Sequence, residues 1–480
     1  MSADSPAPSV VVLVADGARP DVLRSAIEGG DLPAMAALVR EGGLHEVTSS
    51  FPSVTGPAYA PFLMGRFPGP VGLPGLRWFD RARTACHFPD YTRSYVGYQM
   101  GAVDRDLDPD APTIFELVPE SIAALNVIGR GLPARARVAE LSLRSAVRAA
   151  RTHFRGDVRG WLGIDREVSA AVAARLRSER PRFAFAALTG ADKTAHSEGH
   201  AAPVVREALR IVDDAVAEIR GDAEHDGRWD RMQLWIVSDH GHSPVRHHED
   251  LAALVAAAGH RTIAHPWVFA LRPDAAVMVS GNAMAHVYVE LARRERPWWR
   301  ELDPRWHELA DLLLARPSVD LLLLPHGTGR CEVRARGRGS AFVERRGGAT
   351  IVDSRYRYRT ATGDPLGLGG DVEGDATEML DATLATDYPD SIVQIAHLAG
   401  SPRSGELILS AARDWDFRAR YEPIPHVSSH GALHREHMLV PLLTNRPPST
   451  PPRRTVDVMP SALAALGLPI PPGLDGRSFL

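Results

Sequence analysis

The stretch that decides the fold reads Ser9-Val10-Val11-Val12-Leu13-Val14-Ala15-Asp16-Gly17. A continuous apolar run closed by a carboxylate and a glycine is typical of a strand buried on both faces of a parallel sheet. Similar runs occur at 182–189 and 233–238, and a further strand-like run lies at 406–410. Because the carboxyl ends of parallel strands meet at one edge of an open sheet, we expect the polar residues that follow these runs to converge. The pattern predicts an α/β fold.

Carboxylates and imidazoles stand after each of these runs. They are Asp16, Asp192, His196, Asp239, His240 and His430. Thr55 lies in a further loop, at 50–57, just before a segment compatible with a helix. Any one of these residues has an ordinary structural explanation, such as a helix cap or a core histidine, so the interpretation depends on their joint occurrence. Together they suit a pair of divalent cations at one edge of the sheet.

The composition is that of an ordinary globular protein. The chain has 480 residues, of which 44% are hydrophobic and 24% charged, with a formal net charge of -4. This length predicts one large core with insertions, or two domains. The charge balance shows no global bias toward nucleic acids or membranes, so we expect neither a nucleic-acid polymer as partner nor a membrane span.

The cysteines and the N-terminal stretch bear on the compartment. Cys86 and Cys331 are the only cysteines, and neither stands in a paired metal-ligand spacing, which disfavours a disulfide framework and a cysteine-rich zinc site. The N-terminal stretch has no basic region, and its apolar run is too short for a secretory or membrane segment. We therefore expect a cytoplasmic protein.

Changes of pattern along the chain predict its organisation. Residues from about 68 to 180 combine an irregular stretch rich in glycine, proline and aromatics with an arginine-rich helical one. From about 321 to 362 the chain has short alternating stretches joined by glycines, as at 331–336 and 341–345, which is typical of antiparallel hairpins. We predict a core formed by 1–265 and 371–480, which includes the insertion at about 68–180, and a partly antiparallel cap inserted at 266–370.

The order of the motifs resembles that of the alkaline phosphatase superfamily, most closely its type I phosphodiesterase/nucleotide pyrophosphatase branch. The motifs are Asp16, Thr55 in a Pro-x-x-Thr loop, Asp192-x-x-x-His196, Ser238-Asp239-His240-Gly241, Ser429-His430-Gly431 and a similar C-terminal tail at 455–478. The resemblance implies a central, mostly parallel sheet flanked by helices. It also implies a metal-dependent hydrolase of phosphate esters or phosphoanhydrides.

When the ligand positions of the family are transferred onto the matching residues of this chain, the resemblance implies two groups of metal ligands. These are Asp192, His196 and His430 for one zinc ion, and Asp16, Thr55, Asp239 and His240 for the other. It further implies that Thr55 is the nucleophile and forms a phospho-threonine intermediate. Nitrogen and oxygen ligands suit catalytic zinc, although manganese or iron would also satisfy them. A small phosphate ester or nucleotide-like molecule is the expected substrate.

One position departs from the pattern of that branch. Where the branch carries an asparagine that holds a phosphate oxygen, an ungapped placement gives Leu76. Either Arg77 or Lys193 replaces the missing donor, or the substrate differs from a nucleotide diester. Lys193 is the single lysine of the chain, and an equally good interpretation is that an arginine-biased composition left one lysine. Arg77 and Lys193 are therefore candidate catalytic residues, and a guanidinium on a terminal phosphate would favour a monoester.

Other residues near the motifs admit two interpretations. Tyr59, Trp78 and Phe79 either stack a flat substrate group or pack in a core or lid. His242 either orients a metal ligand or shuttles protons, as a histidine beside a metal site often does.

Several functions stay open at this point. A phosphodiesterase or nucleotide pyrophosphatase is the first hypothesis, a phosphomonoesterase the second and a phosphonate hydrolase the third. A non-catalytic, metal-stabilised binding protein and a phosphate-transfer mutase are hypotheses of other classes. The sulfatase branch does not fit, because neither cysteine stands in its Cys/Ser-x-Pro-x-Arg motif and Thr55 cannot yield the aldehyde that sulfatases use.

Overall fold

The computed structural model describes residues 7–83, 92–138, 151–152, 155, 157–266, 268–348, 350–418 and 426–480. The described strands form a six-stranded central sheet, a nine-stranded second sheet and two small sheets. The strands are β1 (Ser9–Ala15), β2 (Gly43–Thr48), β3 (Arg77–Phe79), β4 (Thr92–Ser94), β5 (Ser121–Ala124), β6 (Phe183–Leu188), β7 (Met232–Val237), β8 (Ser243–His248), β9 (Thr262–Ala264), β10 (Ala275–Ser280), β11 (Met284–Val289), β12 (Val319–Gly327), β13 (Arg330–Ala335), β14 (Gly339–Gly347), β15 (Ser354–Thr360), β16 (Val372–Asp375), β17 (Leu407–Ala411), β18 (Asp414–Asp416), β19 (Ser428–Ser429) and β20 (Leu439–Thr444).

The helices surround these sheets. They are α1 (Pro20–Glu28), α2 (Pro33–Glu41), α3 (Ala60–Met64), α4 (Val103–Asp106), α5 (Ile114–Leu117), α6 (Val158–Glu179), α7 (Gly190–Glu198), α8 (Pro203–His225), α9 (Leu251–Ala257), α10 (Trp299–Leu314), α11 (Ala376–Thr383), α12 (Ser391–Gly400), α13 (Arg435–Met438) and α14 (Val458–Ala465). Among the described helices, none is both long and apolar enough to cross a bilayer.

The central sheet has the strand order β2-β20-β7-β1-β6-β5. β1 pairs in parallel with β6 and β7, and β5 pairs in parallel with β6. β20 is antiparallel to both β7 and β2, so β2 runs in the same direction as β7. The carboxyl ends of β1, β2, β5, β6 and β7 therefore lie at one edge. The predicted α/β fold with a mostly parallel central sheet is confirmed.

Burial on both faces explains the uninterrupted apolar sequence of β1. Val10, Val12 and Val14 belong to one core cluster, which α3 and α14 help to build. The alternate residues belong to a second cluster on the opposite face, built with α1, α2, α6 and α8. Each fully buried aliphatic side chain contributes about 1.5–3 kcal/mol, so no polar residue is tolerated at either set of positions.

The second sheet has the order β16-β15-β14-β13-β12-β17-β11-β10-β9 and is antiparallel except between β9 and β10. β13 and β14 pair as a hairpin, as their alternating sequences predict. Helices α9 and α10 cover one face and α11 and α12 the other. The sheet also takes in β9, β16 and β17, which lie outside the range predicted for the cap, and the division into core and cap stays a prediction.

The insertion predicted at about 68–180 begins irregularly, with the short elements β3, β4, α4 and α5. Its arginine-rich part ends in the long helix α6, while residues 139–150 lie outside the described residues. Cys331 is a buried free thiol on β13, and Cys86 also lies outside the described residues.

Candidate active site

Three strands of the central sheet lead directly into polar residues at the same edge. Asp16 follows β1, and Asp239 and His240 follow β7. Helix α7, which follows β6, carries Asp192 and His196 in its first and last turns. Residues four apart on a helix lie on the same face, so these two side chains point together into the site.

Two further segments complete the cluster by different routes. Thr55 lies in the loop after β2, two residues before a 3₁₀ turn at Pro57–Tyr59. His430 follows β19, a two-residue strand that pairs with β8 in a small sheet. The strand-like run at 406–410 that precedes His430 in the sequence forms β17, which belongs to the second sheet instead. His430 therefore does not arrive at the site from a strand of the central sheet.

Three imidazoles approach one oxygen of Asp192. The Nε2 atoms of His196, His242 and His430 lie 3.2, 2.9 and 3.4 Å from Asp192 Oδ1. All four side chains are buried, and one ligand atom from each lies within 4.8 Å of the others. Ligands of one zinc ion lie about 2.0–2.2 Å from the metal, so atoms this close together can share an ion.

A second group surrounds Thr55. Its Oγ1 lies 3.1 Å from Asp16 Oδ1 and 3.1 Å from His240 Nε2. His240 Nε2 in turn lies 3.4 Å from Asp16 Oδ1 and 3.5 Å from Asp239 Oδ2. Ligand atoms of Asp16, Asp192 and His240 also lie within 4.8 Å of one another, so Asp192 takes part in both groups. The structure thus brings all seven predicted metal-ligating residues together.

Backbone carbonyls orient three of the imidazoles. A carbonyl oxygen only accepts hydrogen bonds, so a ring nitrogen that contacts one must carry the proton. The other nitrogen of a neutral ring then presents a lone pair, as a metal ligand requires. The contacts are His196 Nδ1 with the Ser428 oxygen at 2.9 Å, His430 Nδ1 with the Ser53 oxygen at 3.0 Å and His240 Nδ1 with the Gly241 oxygen at 3.2 Å.

His242 is placed differently from these three histidines. Its Nδ1 lies 3.2 Å from Ser428 Oγ, whose hydroxyl donates to the Ser243 carbonyl at 2.9 Å, and its Nε2 lies 2.9 Å from Asp192 Oδ1. A hydroxyl has a single proton, so Nδ1 donates to Ser428 Oγ, and Nε2 of the neutral ring presents a lone pair. Burial lowers the pKa of His242 to about 3, so the ring is neutral at pH 7. His242 therefore joins His196 and His430 as a residue whose Nε2 can share an ion with Asp192, and its signal in the sequence is the second histidine of Asp239-His240-Gly241-His242.

Three buried carboxylates share the site. Burial, followed by the charges of Asp239 and Asp192, raises the pKa of Asp16 well above its usual range, and burial likewise raises the pKa of Asp239. Burial acts the same way on Asp192, but the Lys193 ammonium and His196 outweigh it and hold the pKa of Asp192 well below its usual range. Oδ2 of Asp239 is buried without a hydrogen-bond partner among the described residues. Converging like charges and an unpartnered carboxylate oxygen fit bound cations.

Of the two predicted cationic residues, the structure brings Lys193 to the cluster. Its Nζ lies 2.7 Å from Asp192 Oδ2, and its side chain is 30% exposed. Arg77 begins β3, and its backbone N–H lies 3.4 Å from Ser280 Oγ. Burial, followed by the charge of Arg77, lowers the pKa of His265 to about 4. These contacts of Arg77 are with residues outside the acidic cluster.

The three aromatic candidates are core residues. Tyr59, Trp78 and Phe79 are at most 1% exposed, so they offer no face for stacking. The Tyr59 hydroxyl donates to Asp16 Oδ2 at 3.2 Å, and Trp78 Nε1 donates to the Tyr95 hydroxyl at 3.1 Å. Of the two interpretations that the sequence allows, packing is the correct one.

Known proteins share both sequence pattern and architecture with this chain. The profile of the family described as type I phosphodiesterase/nucleotide pyrophosphatase matches residues 10–314. Phosphonoacetate hydrolase from Sinorhizobium meliloti 1021, in complex with phosphonoformate, is 16% identical with a TM-score of 0.57 and covers 96% of this chain and 97% of its own. Human ectonucleotide pyrophosphatase/phosphodiesterase 5 is 14% identical with a TM-score of 0.57 and covers 98% and 97%. An inactive murine form of that protein, in complex with AMP, is 13% identical with a TM-score of 0.57 and covers 97% and 96%.

No curated protein sequence matches the chain significantly. At these identities the structural similarities show the fold alone, which is that of alkaline phosphatase-like enzymes. The family profile, in contrast, covers more than half of the 480 residues. The chain therefore belongs to the type I phosphodiesterase/nucleotide pyrophosphatase family of the alkaline phosphatase superfamily, and it is a phosphoester hydrolase.

Proposed function

We propose that this enzyme cleaves phosphate diesters or phosphoanhydrides with two divalent metal ions and a phospho-threonine intermediate on Thr55. The observation that carries the proposal is the position of the Thr55 hydroxyl, 3.1 Å from both Asp16 and His240. Thr55 is also partly exposed within a loop whose neighbouring residues are buried. A hydroxyl that is both reachable and surrounded by acidic and imidazole groups is suited to act as an activated nucleophile.

The ligand groups fit two ions that accept nitrogen and oxygen donors. Zinc is the first choice, and manganese or iron would also be accepted. When bound, such ions neutralise charge on phosphate oxygens and make a hydroxyl easier to deprotonate. One ion would be held by Asp192, His196 and His430, and the other by Asp16, Thr55, Asp239 and His240.

Residues of the chain supply both the nucleophile and an acceptor for its proton. Asp16 Oδ1 accepts the hydrogen bond of the Thr55 hydroxyl at 3.1 Å and can take its proton, and His240 Nε2 lies at the same distance. The bond from Thr55 Oγ1 to phosphorus forms as the bond to the leaving oxygen breaks, and the leaving group keeps the electron pair. Water then forms a bond to phosphorus, the bond to Thr55 breaks, and Thr55 regains a proton. The net reaction is hydrolysis of one phosphate ester bond.

Lys193 is proposed to bind a phosphate oxygen of the substrate. Its ammonium contacts Asp192, and its partial exposure lets it contact a ligand as well. Burial opposes its charge, but the carboxylates of Asp192, Asp16 and Asp239 raise the pKa of Lys193, so it stays protonated. Arg77 stays a candidate for the same role.

The variants Thr55→Ala and Thr55→Ser test the nucleophile. Hydrolysis of bis-p-nitrophenyl phosphate and p-nitrophenyl phosphate is measured on metal-analysed protein, with and without chelator. We expect Thr55→Ala to lose at least about a thousand-fold in kcat/KM while its metal content and fold persist, because the attacking oxygen is gone. Thr55→Ser keeps a hydroxyl and should retain part of the activity and form a phosphorylated protein detectable by intact mass. Unchanged activity of Thr55→Ala would remove Thr55 from the mechanism.

The variants Lys193→Ala and Lys193→Arg test whether Lys193 binds a phosphate oxygen. The alternative is that it is simply the one lysine that an arginine-biased composition has left. If Lys193 binds the substrate, Lys193→Ala should raise KM for the preferred substrate by about ten-fold, since a charge-assisted hydrogen bond is lost. The loss should be smaller on small aryl esters, and Lys193→Arg should recover part of it. Equal, modest losses on every ester would contradict this role.

The same assays separate the remaining functions. A preference for p-nitrophenyl phosphate over the diester would assign a phosphomonoesterase. Release of phosphate in the absence of a sugar phosphate acceptor would argue against a mutase. Membership of a hydrolase family already disfavours a non-catalytic binding protein.

A further inference from the structure

We propose that Leu76 and Val127 form an apolar wall beside Thr55, which binds an uncharged hydrocarbon or aromatic group that stays on phosphorus during the reaction. The inference depends on the proposed function, and it names the class of substrate that the site accepts. That class is a phosphate diester with an apolar retained group.

The wall is defined by its contact with Gly56, the residue after the proposed nucleophile. A Cβ built on Gly56 would lie 3.6 Å from Val127 Cγ1 and 3.8 Å from Leu76 Cδ1, and no other described atom outside the neighbouring residues would come within 4 Å. Both side chains pack at the rim of a core cluster but stay partly exposed. The space that a side chain at this position would fill is therefore bounded by two apolar side chains.

Leu76 is held in place by the backbone around it. The N–H of Tyr95 donates to the Leu76 carbonyl at 2.9 Å, and the N–H of Arg77 lies 3.4 Å from Ser280 Oγ. Gly75 packs so closely on Ser280 that a Cβ there would lie 2.5 Å from its Oγ. Leu76 is thus fixed between two anchored neighbours, and its side chain is directed at Gly56.

Val127 occupies a backbone conformation that its side chain disfavours. Its φ of +46° lies in the left-handed region, which is rare for a β-branched residue. The Ile128 N–H donates to the Asn126 carbonyl across Val127, and the Asn126 amide donates back to the Ile128 carbonyl at 2.6 Å. This tight turn follows β5, at the same edge of the central sheet as the site. Such conformations cost about 1–3 kcal/mol and are concentrated at ligand-binding positions.

The direction of the reaction decides which group of the substrate meets the wall. In an in-line displacement the leaving oxygen departs on the side opposite the nucleophile. A group that packs beside Thr55 and Gly56 is therefore retained on phosphorus while the bond to the leaving oxygen breaks. A monoester retains only oxygens, whereas a diester retains a carbon-bearing group. The position of Leu76 and Val127 consequently favours a diester with an apolar retained group over a monoester or a nucleotide.

The test uses three diesters that share p-nitrophenolate as leaving group. Their retained groups are methyl, phenyl and thymidine 5′-yl, so differences in kcat/KM report on the retained group alone. We expect the phenyl ester to be the best substrate. Leu76→Ala and Val127→Gly should each lower kcat/KM for the phenyl ester by about ten-fold and for the methyl ester by less than about three-fold, since buried apolar contact is lost only with the larger group. Leu44→Ala is the matched control. Leu44 is a partly buried leucine of β2 that packs against the core cluster on the opposite face of the central sheet, so its loss should change kcat/KM for the three esters equally.

Two outcomes would overturn the inference while leaving the proposed function intact. One is Thr55-dependent hydrolysis in which Leu76→Ala and Val127→Gly reduce all three esters equally, and the other is a preference of the wild type for the thymidine ester. Hydrolysis that does not depend on Thr55 would reject the proposed function, and the inference with it. Circular dichroism and thermal unfolding check that each variant is folded. Leu76→Met keeps the apolar volume of the side chain and should therefore retain the preference for the phenyl ester.

Discussion

Charged groups are buried in two regions of this molecule. In one region buried charges have partners of opposite sign, and in the other most of the buried charges are negative. Around the second sheet, acidic and basic groups are matched. Arg81 Nη2 lies 2.6 Å from Glu406 Oε2, and Arg454 Nη2 lies 2.6 Å from Asp390 Oδ1. At the edge of the central sheet, three buried carboxylates converge, and the ammonium of Lys193 directly contacts one of them.

The hydrogen bonds show the same contrast. Glu406 Oε2 accepts the Val289 N–H at 3.0 Å in addition to its ion pair, whereas Asp239 Oδ2 has no hydrogen-bond partner among the described residues. Matched charges in a protein interior serve the structure, because each partner offsets the desolvation of the other. Unmatched negative charges destabilise the protein unless cations join them. Charge balance thus separates a structural network from a functional site.

The largest effect should come from Asp239→Asn. It removes one unmatched carboxylate and should lower kcat/KM on the preferred ester by on the order of a thousand-fold, about 4 kcal/mol, because metal binding is lost. With chelator present, the variant should unfold at a higher temperature than the wild type, since repulsion with Asp16 and Asp192 is relieved. Activity, metal content and thermal unfolding with and without chelator give the answer. If, with chelator present, the variant unfolds at a lower temperature than the wild type, the carboxylates of the site do not destabilise the metal-free protein, and the comparison is wrong.

Glu406→Gln should lower the stability of the fold and leave activity nearly unchanged, which is the opposite of the result expected for Asp239→Asn. The loss of the matched charge beside Arg81 should cost about 3 kcal/mol of unfolding free energy, since a guanidinium remains buried without its counter-charge. Metal content and kcat/KM of the folded variant should stay within about two-fold of wild type. Urea unfolding measures the loss. Glu207→Gln, in an exposed ion pair with Arg159, is the control and should cost less than about 0.5 kcal/mol.

A pair of substitutions at His242 sharpens the comparison inside the site. His242→Met removes a nitrogen that can share an ion with Asp192, and it should weaken binding of one metal ion by more than the roughly 10- to 100-fold that loss of an outer partner of a ligand costs. His242→Gln keeps only an amide near the same position and should not restore the affinity, because imidazole nitrogen is the better ligand for zinc. Titration against a competing chelator measures the affinity. An unchanged number of nitrogen ligands in the X-ray absorption spectrum of His242→Gln would instead make His242 an outer partner of Asp192.

The smallest effect concerns Asp165, which supports the turn into α7. Its carboxylate accepts the N–H groups of Thr189 and Gly190 at 3.0 and 2.7 Å, and burial raises the pKa of Asp165 to about 7. A raised pKa means that the folded state holds the proton more tightly, so this contribution to stability is full in acid and is lost as the pH rises through 7. Asp165→Asn cannot ionise, so its urea midpoint relative to wild type should rise between pH 5 and pH 8. A fall over that interval would contradict the assignment.

Local sequence pattern was enough to predict β1, β6 and β7 of the central sheet and the polar residues that follow them, but not β5 or β20. The apolar run of β1 requires burial on both faces, which places Asp16 at the carboxyl edge. The four-residue spacing of Asp192 and His196 places both on one face of a helix, wherever that helix packs. For Thr55 and His430 the sequence pattern indicated only positions, in a loop before a helix and after the run at 406–410, and the similarity to the family supplied their roles. The roles of these residues, of Arg77 and of the cap stay predictions.

What only the tertiary structure decided are contacts between segments far apart in the chain. His430 reaches the site through β19, and two residues are too few to show a periodicity in sequence. Trp78 and Phe79 are core residues, and Leu76 meets Val127 at Gly56, because of how β3 and the loop after β5 pack. Which nitrogen of His242 holds a proton depends on Ser428, which comes from another element and gives its own proton to the Ser243 carbonyl. Sequence patterns record which face of an element is buried, whereas the partners across that face follow from the packing of the whole chain.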